Sequence, residues 1–350
     1  MKASYKILSI ATFIAAIAVV SFWTIKNRNV ENQPSRMLLG WQTAWATAGQ
    51  VVETINHTNI TQISHSSGSF RNFLAAPEMN EAALSGDLDG VNNGVVPTIN
   101  ILAASDDWVV VCRLADFLVA TVVRKDLGIS KIEDLKGKKL GVPFGAGSHP
   151  YAFQLLKDYN LSVGTGSSSV EMINVAPSEH VAAMKQGLVQ AVATWEPQIE
   201  RLCGDGYAII IDQMSHSGFV TIRRSLLENN RAGVVKLVQS YALAHFYVSQ
   251  NRAISDAWFA KRSGLDPKIL EKLRVIEPNL NAKTFSDIDI SISLENVQHA
   301  QALADQMAKN GLIRRPIVFT NRCDMSIVRD AMSDRSSLEK LIPAIIVTDK

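Results

Sequence analysis

Along most of the chain, short and nearly continuous apolar runs alternate with longer stretches in which apolar positions recur every three or four residues. That is the spacing of buried strands alternating with amphipathic helices. Residues 37–40 (MLLG) read as a first strand and 46–55 as the helix after it. Residues 60–63 read as a second strand, with 66–69 (SSGS) as its loop, and a helix through Met79, Ala82 and Ala83 then stops at Gly86. A strand over 88–91 leads to the loop Asn92-Asn93-Gly94, and Pro97 starts a helix with Ile99, Leu102 and Ala103 on one face. Residues 108–112 (WVVVC) are too uniformly apolar for a surface strand and suit a parallel sheet covered on both sides. The pattern predicts an α/β fold.

The densest signals lie in residues 129–159, ISKIEDLKGKKLGVPFGAGSHPYAFQLLKDY. A short helix from Ser130 through Ile132, Glu133 and Leu135 ends at Gly137, a residue that tolerates the left-handed conformation of a helix stop. A strand follows over 139–143. The glycine-rich loop 144–149 then opens a helix with Pro150 in its first turn, where a missing amide hydrogen costs nothing. Strand, glycine loop and helix start together form an anion site, because unpaired amide hydrogens and the positive end of the helix dipole face the loop. Taken alone, the stretch also fits a plain turn whose glycines serve only chain geometry. Further on, 170–175 reads as a strand, Ser178 as the cap of a helix ending at Gly187, and 188–193 as the strand leading to Trp195-Glu196-Pro197. The sequence echoes itself here, since Gly86 and Pro97 lie eleven residues apart and Gly187 and Pro197 ten.

Composition narrows the picture. With 350 residues, 47% hydrophobic and 19% charged, the chain can build two cored units. A net charge of +2 without any basic block interleaved with aromatics excludes a nucleic-acid partner. Cys112, Cys203 and Cys323 are far apart and match no metal spacing; they read as small core residues, with one disulfide left open. No metal or cofactor is expected. At the start, Lys2 and Lys6 precede an uncharged, mostly apolar run at 7–25 that ends at Lys26 and Arg28. This reads as an export segment. Without a small-x-small site before Phe22 and Trp23, it reads as an uncleaved anchor in preference to a removed signal peptide. Residues 27–35 are a polar linker.

Three strings occur in order: MNEAALSGDLDGVNNGVVP, IEDLKGKKLGVPFGAGSHPYAFQLL and APSEHVAAMKQGLVQAVATWEP. Together they resemble the taurine, nitrate and aliphatic-sulfonate class of ABC-transporter substrate-binding proteins, over about residues 37–332. The resemblance implies a two-lobed periplasmic-binding-protein type II fold with two crossover segments, near 117–124 and 218–224, and a ligand cleft between the lobes. Lobe 1 would comprise 36–120 and 225–350, and lobe 2 would comprise 121–224, after an export or anchor segment and linker at 1–35. The helical remainder, including Trp258 and 267–273, would fold back onto lobe 1. The implied protein is a monomeric receptor in the periplasm or cell envelope that delivers a small polar anion to an ABC permease in the inner membrane; the run at 7–25, read above as an anchor in departure from the usual leader of this class, would tether it.

Residue by residue, the resemblance places ligand contacts at Gln42, Thr43 and Trp45, at Ser67 and Gly68, at Asn92, Asn93 and Gly94, at Gly147, Ser148 and His149, and at Trp195 and Glu196. The asparagines offer donors and an acceptor, and Ser148 can cap its helix while donating to an anion. Trp41 and Trp45 suit either ligand stacking or core packing. Glu196 would repel an anion, so it holds a cationic or hydroxyl group, binds a protonated partner, or points away. His149 and His216 could supply positive charge when protonated. Where the resembled class commonly has an acid before Trp-Glu-Pro, this chain has Gln190. The competing readings are an enzyme on the same fold, resembling thiamine-pyrimidine precursor synthases but without their cysteine-rich run, and a membrane-anchored ligand sensor.

Overall fold

In the computed structural model, which describes residues 36–274 and 276–348, strand β1 (Met37–Gln42) is almost wholly buried. It lies between two parallel neighbours, β2 (Gly68–Phe73) and β3 (Gly90–Gly94). Helix α1 (Ala46–His57) leaves the carboxyl end of β1, and the short α2 (Ile60–Ile63) precedes β2. Helix α3 (Ala76–Ser85) then joins β2 to β3, and α4 (Val95–Ala104) follows β3. Gly86 closes α3 at a φ of 102°, the left-handed stop expected of it.

Residues 60–63 are therefore a helical turn and not the expected strand. Four residues, ITQI, are too few for a period of two to be told from one of 3.6. The consequence is positional: the loop 66–69 leads into β2 instead of out of it.

A second set of βα units starts after the 17-residue strand β4 (Trp108–Arg124). It comprises β5 (Lys139–Val142), α5 (Ser148–Asp158), the two-residue β6 (Ser162–Val163), β7 (Ser169–Asn174), α6 (His180–Lys185), β8 (Ala191–Trp195) and α7 (Gln198–Cys203). The 16-residue β9 (Ala208–Arg223) closes it. All nine strands form one sheet, in the order β2-β1-β3-β9-β4-β8-β5-β7-β6.

Long strands β4 and β9 pair antiparallel along their length and serve both lobes. β3 pairs with the later half of β9, from Gly90 opposite Ile222 to Gly94 opposite Gly218. β8 pairs with the later half of β4, from Val119 opposite Trp195 to Val123 opposite Ala191. The changeover lies near Asp116 and Ser217, between register shifts in β4. Glu277 pins this point. Its buried carboxylate pairs with Arg113 and accepts from the backbone amides of Asp116 at 2.6 Å and Asn279 at 3.0 Å. With several donors on one carboxylate, the desolvation of the pair is offset.

The remaining helices are α8 (Arg224–Asn229), α9 (Arg231–Gln250), α10 (Arg252–Ser263), α11 (Pro267–Glu271), α12 (Leu294–Lys309), α13 (Met325–Ala331) and α14 (Arg335–Glu339). Both α9 and α10 rest on α1. The close approach needs Gly49, because a Cβ there would strike the ring of Phe259, and Phe259 in turn packs on the buried Trp41. Trp41 is thus core. Trp258, on α10, stacks on His57 of α1 at 5.0 Å. The three cysteines are free, with Cys112 in the core. The run at 7–25 lies outside the described residues, and among the described residues no helix is long and apolar enough to cross a membrane.

Candidate functional site

Four helices begin at the same small cavity. β1 hands over to α1 at Trp45, β2 to α3 at Ala76, β3 to α4 at Gly94, and the β5–α5 loop ends at Gly147; all four residues line one small cavity. None of the four helices has a side-chain cap on its first amides. The first turns of α1, α4 and α5 carry no acidic residue, whereas α3 carries Glu78. Uncapped helix starts leave N–H groups and the positive ends of helix dipoles directed at the space in front of them. Four around one cavity give it a positive potential with no ionised side chain in its lining.

Its walls are aromatic. Trp45 and Phe117 have ring centroids 4.9 Å apart, and Trp195 completes the lining from the second lobe. Two glycines shape these walls. A Cβ on Gly94 would lie 2.9 Å from Cζ of Phe117, and one on Gly218 would lie 2.7 Å from Cζ3 of Trp45 and 2.8 Å from the Asn93 carbonyl oxygen. The indole N–H of Trp195 donates to the Ala44 carbonyl at 2.7 Å, joining β8 to the β1–α1 loop across the cleft. The indole N–H of Trp45, by contrast, is buried without a partner among the described residues, as are Ser148 Oγ and Asn93 Oδ1. A buried donor of this kind costs about 1–3 kcal/mol unless something accepts from it.

Of the residues named from sequence, Gln42, Trp45, Gly94, Gly147 and Trp195 line the cavity. Thr43 lines an adjoining outer hollow. Ser67 and Gly68 stand at the amino end of β2, whereas the cavity lies at the strands' carboxyl ends; a Cβ on Gly68 would meet Leu237. Asn92 is occupied structurally, donating to the Gly40 carbonyl at 3.0 Å and accepting from the Tyr241 hydroxyl at 2.7 Å. Asn93 donates to Asn80 at 2.8 Å. Ser148 is fully buried at the start of α5.

The charged candidates turn away. Both carboxylate oxygens of Glu196 accept backbone amides, from Glu200 at 3.1 Å and Arg274 at 3.3 Å, so this side chain ties the Trp-Glu-Pro turn to the 274 segment. Burial pushes its pKa up to about 7. His216 is buried with Nδ1 2.9 Å from Nε2 of His299, and burial lowers its pKa to about 3, with the neighbouring imidazole acting in the same direction. His149 stacks on Phe144 at 4.5 Å, and its pKa is also lowered by burial. Burial disfavours the imidazolium form of both histidines, which would have to leave water without an acidic partner.

Sequence reading missed Ala76, Pro97, Phe117 and Ala146, all on the cavity wall. Alanines and a phenylalanine carry no chemistry to flag them. The Ala76 turn was findable had the alternating segment GSFRNF been taken as the second strand.

A family model described as the NMT1-like family matches residues 74–261. An Escherichia coli protein described as aliphatic-sulfonates-binding is 24% identical over 322 residues, covering 90% of this chain and 93% of its own. The taurine-binding periplasmic protein of Escherichia coli is 29% identical over 198 residues, 56% of each chain. Among solved structures, the periplasmic aliphatic sulphonate binding protein SsuA of Escherichia coli superposes with a TM-score of 0.65 at 21% identity, over 83% of this chain and 92% of its own.

Proposed function

The chain belongs to the NMT1-like family, and we propose that within it this protein is a substrate-binding receptor that captures a small organic anion of the sulfonate type and presents it to an ABC permease. The observation that carries this reading is the convergence of four uncapped helix starts on a cavity with no ionised side chain in its lining. Such a site holds an anion through amide hydrogens and helix dipoles, and the aromatic walls suit the carbon attached to the charged head. The names of the relatives point to the same ligand class. No chemical transformation is assigned to it, and the reading is capture and release, with the unpartnered Trp45 indole N–H left to meet the ligand.

A thermal-shift panel of ethanesulfonate, taurine, nitrate, acetate and a pyrimidine tests the proposal. At about a hundred times its dissociation constant, a true ligand adds roughly 2.7 kcal/mol of stability. A clear rise with a sulfonate, and recovery of that ligand unchanged after incubation, is the expected result. A rise only with the pyrimidine, or conversion of the ligand, would refute it.

Two further results are expected. Trp195→Phe keeps an aromatic ring and removes the bond to the Ala44 carbonyl, so sulfonate affinity should fall about fivefold to tenfold, close to 1 kcal/mol, by calorimetry. An unchanged affinity would show that the bond does not favour the liganded arrangement. In Glu196→Gln, which removes the carboxyl that burial raises to about 7 beside Trp195, sulfonate affinity should also stay level between pH 8 and 6, because burial lowers His216 to about 3 and lowers His149 too. If a histidine cation held the anion, affinity would instead rise tenfold per unit as pH falls.

A further inference from the structure

Outside the aromatic cavity lies a wider hollow whose walls come from both lobes. Leu74 comes from the β2–α3 turn and Glu78 from the first turn of α3, while Pro197 precedes α7 and Arg201 lies within it. The two spaces adjoin at the Trp195–Ala44 bond, since Trp195 lines the inner one and Ala44 the outer one. In contrast to the inner lining, the outer one carries both signs of charge. Glu78 and Arg201 are exposed, and among the described residues no ion pair joins them. Arg201 makes a 3.3 Å bond to Gln198, which steadies the guanidinium on that wall.

We propose that this outer hollow recognises a dipolar end group, an α-amino carboxylate, on a sulfonate whose anionic head lies in the inner cavity. The inference rests on the receptor reading above and extends it to the substrate's other end. The Arg201 guanidinium donates to the carboxylate, Glu78 accepts from the ammonium, and Leu74 and Pro197 cover the connecting carbons. A single-sign end group would satisfy one wall and be repelled by the other. A dipolar one satisfies both.

The test compares two probes by calorimetry, 2-amino-4-sulfobutanoate and butanesulfonate, which share a carbon chain and sulfonate head. The native chain should bind the amino acid at least tenfold more tightly. Arg201→Ala and Glu78→Ala, both at exposed positions, should each reduce that ratio to threefold or less, and the exchange Glu78→Arg with Arg201→Glu should restore part of it. Butanesulfonate binding as tightly as the amino acid, or a ratio unmoved by either alanine variant, overturns the inference and leaves the receptor reading standing. Failure of both probes to bind would remove the receptor reading, and the inference with it.

Discussion

Gly218→Ala should cost at least about a hundredfold in sulfonate affinity, roughly 2.7 kcal/mol, although residue 218 has no side chain to offer a ligand. Its Cα faces the ring of Trp45, and an added methyl would stand 2.7 Å from Cζ3 and 2.8 Å from the carbonyl oxygen of Asn93. The carbonyl belongs to β3, which pairs with β9 at this point, and cannot retreat without opening the ladder. The indole must move instead, and the space beside it is the cavity itself. Overpacking of this kind typically costs 1–3 kcal/mol of stability as well. The double variant Trp45→Leu/Gly218→Ala separates the two effects, since a smaller side chain at 45 should recover thermal stability without recovering affinity. Wild-type affinity in Gly218→Ala would mean that Trp45 does not border the ligand.

Acidification should destabilise the ligand-free protein on the order of 4 kcal/mol between pH 7.5 and 5. His180, His216 and His245 are fully buried, and burial holds their pKa values at about 4, about 3 and about 3. In the unfolded chain each titrates near 6.5. Below that value the unfolded state takes up protons that the folded state refuses, so their contribution is present above about 6.5 and declines as pH falls. At pH 5 the three together remove roughly 6 kcal/mol. Glu196 acts in the opposite direction. Its folded pKa of about 7 exceeds the unfolded value, so its protonation on the way down to pH 5 returns about 2 kcal/mol. Asp256, raised by burial, works in the same sense as Glu196. Urea denaturation at pH 7.5, 6 and 5 reads the net change, and Glu196→Gln should steepen it by removing the compensation. A flat profile would mean that the buried imidazoles reach water before global unfolding.

How much of this was legible beforehand differs from residue to residue. The resemblance placed Trp45, Gly94 and Gly147 in the site, and the local pattern agrees with it, because each sits where an apolar strand run gives way to helical spacing at a strand's carboxyl end. The α/β class followed from the same rhythm, whereas the two long shared strands came from the resemblance. Ser67 and Gly68, also placed by the resemblance, stand at the amino end of β2, and the reading of 60–63 as a strand with 66–69 as its loop hid that position. Asn92 and Glu196 look like ligand groups by type, yet their partners, Tyr241 and the Arg274 amide, are far away in sequence and arrive only through tertiary packing. Burial decides the charge state of His149 and His216, and burial is not a local property of the chain.

The central claim is that a cavity with no ionised side chain in its lining selects an anion through helix starts. Calorimetry of ethanesulfonate against ethyl methyl sulfone, a neutral molecule of nearly the same shape, tests it most directly. At least a hundredfold preference for the anion is expected, with weak dependence on salt because the contacts are buried. Equal binding of the sulfone would show that shape and aromatic contact alone hold the ligand, and would contradict the claim.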